Sequence, residues 1–466
     1  MPDLSGQHLA ALRSVIVDKP PYSSGVCTIA SDHFQLFYRS NGKDARCIDL
    51  STATEDEVKD LAQTCTPATF GRNNEDVFDE SYRKAWKLDR SNFATNFYPL
   101  DHEAVVGALR SEILEGYDEK KPIRAELYKL NIYGPGSFFK AHKDTPRAEN
   151  MFGSLVVVYP TPHVGGALIL RHRGQEWKFD SGEILASHAE PRLAYAAFYG
   201  DVEHEVTPVE SGYRVTLTYN LYFSSPEDTA EPEGPAVSAS NALHKSKFRE
   251  MLQRLLDDPT FLPDGGSLGF GLRYQYPVEQ GKDEYTDMPV KSVTVAQRCL
   301  KGSDAVIWTV CRDLSLHASI KVLYIPKDDE DECNPVVMKN NFERVCTWDG
   351  AEESLHYLLL KNGARIVQSR HNEEDDATKD FDEEYYERFR REKVYWVTDW
   401  SEYNKFSDPY LAYGNESSLA FAYGNLCLIV GIGPYGERSK VSSTVKKNKG
   451  EVSAGQWGKA KRLRMG

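Results

Sequence analysis

Between Arg124 and Phe223 apolar residues recur at every second position in eight short runs, and this stretch limits the fold more than any other part of the chain. The runs are Arg124 to Tyr133, Phe139 to Asp144, Ser154 to Tyr159, Ala167 to Arg171, Gln175 to Asp180, Leu193 to Tyr199, Glu203 to Pro208 and Tyr213 to Phe223. A period of two is that of strands with one face buried, and Gly and Pro at the corners turn each run back on the last. Eight antiparallel strands joined this way predict a double-stranded β-helix, or jelly roll, whose mouth can hold a ligand among inward side chains. The fold class expected is α+β and mainly β: this barrel with flanking helices, followed by a second C-terminal domain of mixed α/β character.

The chemistry of the stretch lies in His142-Lys-Asp144, His204 and Arg214. One residue apart on an extended strand, His142 and Asp144 point the same way and can grip one metal ion. His204, from a later strand, completes two imidazoles and a carboxylate on one face of the ion, which leaves positions open on non-haem Fe(II). The guanidinium of Arg214 offers a planar fork for a carboxylate, and the hydroxyl of Thr216 falls on the same strand face.

This constellation resembles the Fe(II)- and 2-oxoglutarate-dependent oxygenases. The flanking text, Tyr133-Gly-Pro-Gly-Ser-Phe-Phe-Lys-Ala-His142 and Phe198-Tyr-Gly-Asp-Val-Glu-His204, is similar to the prolyl 4-hydroxylase-like branch. The resemblance covers roughly a hundred residues. It implies Fe(II) held by His142, Asp144 and His204, with 2-oxoglutarate and O2 as cosubstrates and ascorbate as a possible reductant. It also implies oxidative decarboxylation to succinate and CO2, coupled to hydroxylation of a protein or peptide, at a prolyl residue before any other. Asn131 and Tyr133 share a strand face, and their spacing resembles positions that bind 2-oxoglutarate in related oxygenases. A turn-initiating Asn ahead of Gly134-Pro-Gly is the rival explanation of Asn131.

Other members of the superfamily fit less well. Nucleic-acid demethylases of the AlkB type carry a second Arg six residues after the first, where this chain has Asn220, and JmjC demethylases hold the cosubstrate with a Lys. Hydroxylation of a free amino acid or small metabolite stays open, as does a catalytically silent barrel acting as scaffold. His188-Ala-Glu190 and His371-Asn-Glu373 repeat the metal-binding spacing without a following His and Arg at suitable distance.

A chain of 466 residues with 40% hydrophobic composition can bury substantial cores, and two or three domains are expected. The net charge of -14 argues against nucleic acid or anionic membrane as partner. No apolar run approaches a membrane span, and the Met1-Pro-Asp start lacks a signal-peptide pattern. An intracellular protein, cytoplasmic or nuclear, is expected, with its eight scattered Cys reduced. Oligomeric state is not legible.

Residues 1–120 read as a mixed cap, with a strand at Phe34 to Tyr38, a capping box at Thr54-x-x-Glu57, and a helix capped by Asp101 and carrying Val106, Leu109 and Ile113. Phe70-Gly-Arg-Asn73 and Asp79 to Lys84 resemble the segment ahead of the barrel in the same branch; their basic residues either touch substrate or form a solvated helix face. The barrel occupies 121–223. Thr145 to Asn150 suits a mobile loop over its mouth, so Arg147 is either a substrate contact or merely exposed. Gly165-Gly166 and Arg173-Gly174 read as hairpin turns. Residues 224–240 form a linker. The second domain, 241–437, opens with a helix capped by Asn241 and striped by Phe248, Met251, Leu252, Leu255 and Leu256, and continues with strands at Ala305 to Val310 and Ile320 to Tyr324 and a helix at Glu352 to Lys361. Some prolyl hydroxylase-like enzymes carry a metal-free second jelly roll here. The acidic runs 328–332 and 373–376 are solvated loops or a surface for a basic partner. In the tail, 438–466, nine basic residues meet one acid, Glu451, and the span Lys446 to Arg464 is a bipartite nuclear import signal or a plain basic extension.

Overall fold

The computed structural model describes residues 4–439 apart from 18, 41–43, 73–74, 115–117, 119–120, 146, 149, 225–238, 277, 283–288, 326–334, 343–354, 371–387, 401–403 and 414–416. Most of the linker, both acidic runs, His371 to Glu373, and Lys446 to Arg464 therefore lie outside the described residues.

The strands up to Phe223 that build and flank the barrel are β1 (Tyr22–Cys27), β2 (Thr66–Pro67), β3 (Arg83–Lys84), β4 (Trp86–Asp89), β5 (Ile123–Tyr133), β6 (Phe138–His142), β7 (Met151–Val158), β8 (His163–Gly165), β9 (Leu168–His172), β10 (Gln175–Phe179), β11 (Leu193–Tyr199), β12 (Glu203–Val206), β13 (Val209–Gly212) and β14 (Arg214–Phe223). They pair in the order β1-β11-β7-β14-β5-β4-β2 in a larger sheet and β10-β9-β12-β6-β3 in a smaller one, with β8 and β13 as a short ladder. All these pairings are antiparallel, and the two sheets form a jelly-roll core. The interior is packed by Leu130, Ile132, Leu155, Val157, Leu170, Val215 and Leu217, each at most 2% exposed. Burying side chains of this size removes apolar surface from water at about 25 cal/mol per Å², which is what holds the two sheets together.

The eight expected strands all exist, Leu193–Tyr199 with the expected bounds and the others with ends shifted by at most three residues. The 1–120 segment does not simply precede the barrel: β1, β2 and β4 extend its larger sheet and β3 its smaller one. Arg83 thus sits on a strand and is buried, so the solvated-helix reading of Asp79 to Lys84 fails. The capping box at Thr54 and Glu57 is present at the start of the helix Glu55–Thr64. Asp101 caps nothing: it ends a short 3-10 turn, and the helix Glu103–Ala108 begins after His102 and runs on into a π-helical turn, Leu109–Ile113. Phe34 belongs to a 3-10 turn and the strand after it is Gln35–Ser40.

Arg173 and Gly174, both at positive φ, make the two-residue hairpin between β9 and β10. Gly165-Gly166 is instead a crossover, because β8 pairs with β13 and not with β9. Gly166 has φ +67, and a Cβ there would lie 2.7 Å from Val209 Cγ2 and 3.1 Å from Arg214 Cδ, so glycine is needed for the turn and for the stem of Arg214.

In the C-terminal half the helix Ala239–Asp257 starts two residues before Asn241 and buries Phe248, Leu252, Leu255 and Leu256. It leads into a seven-stranded sheet ordered Gly266–Gly271, Arg391–Thr398, Arg365–Arg370, Val337–Lys339, His317–Tyr324, Ser417–Ile432 and Lys405–Tyr413. Gly266–Gly271 also pairs with Ser417–Ile432, closing six of the strands into a ring. Two of the pairings are parallel, which an antiparallel jelly-roll copy would not have. Ala305 to Val310 lies in a helix, Gly302–Asp313, and not in a strand. Ten of its residues are buried all round, so it carries no polar stripe from which a period could be read. The helix expected at Glu352 to Lys361 is described over Leu355–Lys361, its first three expected residues lying outside the described ones.

One apolar cluster runs from Leu9 to Ile432 without a break between the halves, and a smaller one around Trp396 belongs to the C-terminal ring. Among the described residues no helix is long and apolar enough to cross a membrane. Arg438, placed at the start of the tail by sequence, is docked: its guanidinium donates to the carbonyls of Leu256, Asp258, Phe261, Leu262 and Gly433.

Candidate metal centre

The ladder between β6 and β12 brings two histidines together. Phe139 pairs with Val206 and His142 with His204, so three residues on one strand span two on the other. This bulge turns His142 to the same side as Phe139, and the two rings stack with centroids 3.7 Å apart. The His142 and His204 rings lie 4.2 Å apart. Asp144 is two residues beyond the end of β6, yet its Oδ1 reaches to 3.8 Å from His204 Nε2. The ligand atoms of His142, Asp144 and His204 all lie within 4.8 Å of one another, and among the described residues no other such group of three is found.

The surroundings leave these atoms free to take a metal ion. His142 Nδ1 lies 2.8 Å from the Lys140 carbonyl and His204 Nδ1 lies 3.0 Å from that of Val202, which fixes both rings as Nδ1–H tautomers with Nε2 turned inward. Burial, then the neighbouring His204, pushes the His142 pKa down to about 2, so its ring is neutral. Ser154 donates its hydroxyl to Asp144 Oδ2 at 2.6 Å and leaves Oδ1 facing the histidines. Donors at about 2.1 Å from one ion lie about 3.0 Å apart in cis positions and about 4.2 Å apart in trans positions, so taking up an ion on one face would draw the three atoms together. Two imidazole nitrogens and one carboxylate are a donor set that Fe(II) accepts.

A cavity of about 110 Å³ joins this cluster to Arg214. Arg214 is 1% exposed and its Nε donates to Ser181 Oγ at 3.3 Å, while Nη2 has no partner. His163 Nε2 accepts a hydrogen bond from the Ser181 hydroxyl at 3.0 Å, and its own Nδ1–H donates to the Thr161 carbonyl. Burial pushes the Arg214 pKa down to about 10, which leaves it a cation. A buried cation with an unsatisfied donor facing a cavity fits an anionic ligand.

The remaining expected residues line the same cavity. Tyr133 pairs with Arg214 and Asn131 with Thr216 across β5 and β14, and the guanidinium carbon of Arg214 lies 5.6 Å from the Tyr133 ring. Asn131 is a strand residue and no turn initiator: its Oδ1 accepts from Arg83 at 2.8 Å and its Nδ2 donates to Thr218 at 3.1 Å. Thr216 donates to the Asn131 carbonyl at 3.4 Å. Arg147, at the rim, donates to the Tyr128 hydroxyl and lies over that ring at 4.3 Å. Asn220 is buried and bonds Tyr222, so no second Arg stands on that strand.

Sequence reasoning missed Ser154, Ser181 and Lys129 as parts of the site, and offered Arg83 only among the basic residues of Asp79 to Lys84 that either touch substrate or face solvent. A second bulge, between Leu127 and Lys129, lets adjacent Tyr128 and Lys129 both line the cavity, which simple alternation forbids. Ser154 and Ser181 carry no motif, and Arg83 sits in a strand of two residues too short to show a period.

Residues 128–222 match the family model of the 2OG-Fe(II) oxygenase superfamily. Over this stretch, which holds most of the jelly roll, the chain is similar to the 2OG-Fe(II) oxygenase superfamily. A Pseudomonas putida prolyl-4-hydroxylase aligns at 18% identity over 47% of this chain and 100% of its own, with a TM-score of 0.27. A Trichoplax adhaerens prolyl hydroxylase, solved with a hypoxia inducible factor oxygen degradation domain peptide fragment, aligns at 17% identity over 49% of this chain and 94% of its own, with a TM-score of 0.28. Neither score carries an argument. No curated protein matches the chain.

Proposed function

We propose that the protein is an Fe(II)- and 2-oxoglutarate-dependent dioxygenase that hydroxylates a prolyl residue of a protein or peptide and releases succinate and CO2. The observation that carries this reading is the shared cavity, lined both by the His142, Asp144 and His204 donors and by Arg214, whose Nη2 is unsatisfied. A cosubstrate with two carboxylates could serve both, one beside the metal donors and one on the Arg214 guanidinium.

His142, Asp144 and His204 hold the ion, and Ser154 keeps the Asp144 carboxylate turned toward it. When bound, Fe(II) with 2-oxoglutarate and O2 supplies the oxidising chemistry, and the protein positions the groups and excludes side reactions. Arg214 forms a charge-assisted pair with the far carboxylate, held in place by Ser181 and His163. Thr216 and Tyr133 add polar contacts beside it, and Asn131, clamped by Arg83, shapes the wall. Ascorbate keeps the centre reduced. The prolyl assignment rests on the resemblance of the segments ending in His142 and His204 to the prolyl 4-hydroxylase-like branch. Arg147, fixed on Tyr128 at the rim, is placed to meet the peptide.

Purified protein with Fe(II), 2-oxoglutarate and ascorbate is incubated with a library of proline-containing peptides. Succinate release and a 16 Da mass gain on proline are expected. Succinate without any hydroxylated proline would overturn the substrate assignment; no succinate under any condition would overturn the oxygenase reading.

A further inference from the structure

We propose that Lys301, from the C-terminal half, is a positioning residue for His204, and that through it this half sets how tightly the barrel holds its metal. The inference rests on the metal site proposed above.

The loop from Gly200 to Val202 joins β11 to β12, and its last carbonyl, Val202 O, fixes the His204 ring through Nδ1. The residue before it, Asp201, is 7% exposed. Both of its carboxylate oxygens are held by the C-terminal half: Lys301 Nζ lies 2.7 Å from Oδ1, and the Gln275 N–H donates to Oδ2 at 2.7 Å. Lys301 Nζ also lies 5.0 Å from the Tyr199 ring of the barrel, and 5.6 and 5.9 Å from the rings of Tyr274 and Tyr276. One carboxylate and three aromatic faces thus enclose a single ammonium, a setting in which cation–π attraction is strengthened by exclusion of water.

The C-terminal half is built to deliver that ammonium. Gly302, at φ +52, makes the turn into the helix Gly302–Asp313, and a Cβ there would come 2.3 Å from the Tyr274 hydroxyl. The Tyr276 hydroxyl accepts from the Lys301 backbone N–H at 3.2 Å and donates to Asp304 Oδ2 at 2.8 Å. A buried ion pair contributes little to stability beyond what apolar groups of the same volume would, so fold stability alone is a weak reason for it. Its position supplies a better one. With Lys301 removed, the Asp201 charge is left buried against one N–H, the loop must shift to hydrate it, and the carbonyl that orients His204 shifts with it. Loss of such an outer contact weakens metal binding by about 10- to 100-fold.

The test is titration of the full-length chain with Co(II), followed by its visible absorption, for wild type, His142→Ala, Lys301→Met, Lys301→Arg and Asp201→Asn. Wild type is expected to bind one Co(II) and His142→Ala to lose it. Lys301→Met should bind at least tenfold more weakly with an altered absorption band, Lys301→Arg should recover most of the affinity, and the concentration of 2-oxoglutarate required should stay within about twofold of wild type. Wild-type Co(II) affinity in folded Lys301→Met would overturn the proposal while leaving the metal centre intact. Should Lys301→Met fail to fold, Asp201→Asn, which leaves no unpaired buried carboxylate, decides in the same way: weaker binding supports the proposal and unchanged binding overturns it. A wild-type chain that binds no Co(II), or whose binding survives His142→Ala, would overturn the metal centre and this proposal with it.

Discussion

Arg214 and Tyr133 face each other as direct register partners across β14 and β5, with the guanidinium carbon 5.6 Å from the ring and one guanidinium nitrogen left without a partner. Leaving a donor of a buried cation unsatisfied costs on the order of 1–3 kcal/mol, a cost that an anionic ligand in the cavity would remove. The consequences that follow are measurable.

Arg214→Ala should raise the 2-oxoglutarate concentration needed for half-maximal succinate formation by one or more orders of magnitude. Breaking a buried charge pair is worth on the order of 3–5 kcal/mol. Steady-state rates against cosubstrate concentration check this; an unchanged requirement removes Arg214 from the pocket's function.

Ser154→Ala removes the hydroxyl that holds Asp144 Oδ2 at 2.6 Å. Metal affinity should fall by about tenfold while the cosubstrate requirement stays near wild type. Competition with a metal chelator measures the first and succinate kinetics the second. Equal affinity in both proteins would show that Asp144 needs no such support.

Gly166→Ala places a Cβ at positive φ against Val209 and the Arg214 side chain. Destabilisation of about 1–3 kcal/mol is expected from the backbone alone, together with a raised cosubstrate requirement as Arg214 is pushed aside. Thermal denaturation and kinetics read the two effects; an unaltered protein in both would mean the crossover can relax at no cost.

Asp304 is 2% exposed, and burial pushes its pKa up to about 6 although Arg273 N–H and Tyr276 O–H both donate to it. A carboxyl whose folded pKa is raised contributes most below its ordinary value of 3.8 and loses that contribution as pH rises through 6. Asp304→Asn keeps an acceptor and removes the titration, so between pH 4 and 7 the variant should gain on wild type by something on the order of 2 kcal/mol. Parallel stability–pH curves for the two proteins would contradict this.

How much of this was legible beforehand follows from how local each signal is. The eight barrel strands announce themselves as short apolar runs between turn residues, even where β7, β11 and β14 are buried on both faces, and His142, Asp144, His204 and Arg214 show in the sequence as a spacing that the structure gathers around one cavity. The bulges before His142 and at Tyr128 do not show, since an inserted residue leaves no mark in a period of two. Arg83, Ser154 and Ser181 reach the site only through tertiary packing. The helix Gly302–Asp313 was read as a strand because, buried on all sides, it has no polar face to set its period. The link from Lys301 to Asp201 spans a hundred residues, and no pattern along the chain foretells it.

The most direct measurement is succinate produced from 2-oxoglutarate by wild type, His142→Ala and Asp144→Ala, each first shown to be folded by circular dichroism. Iron-dependent succinate from wild type, with none above background from either variant, is the predicted result. Succinate at the wild-type rate from either folded variant would contradict the metal centre on which the function depends.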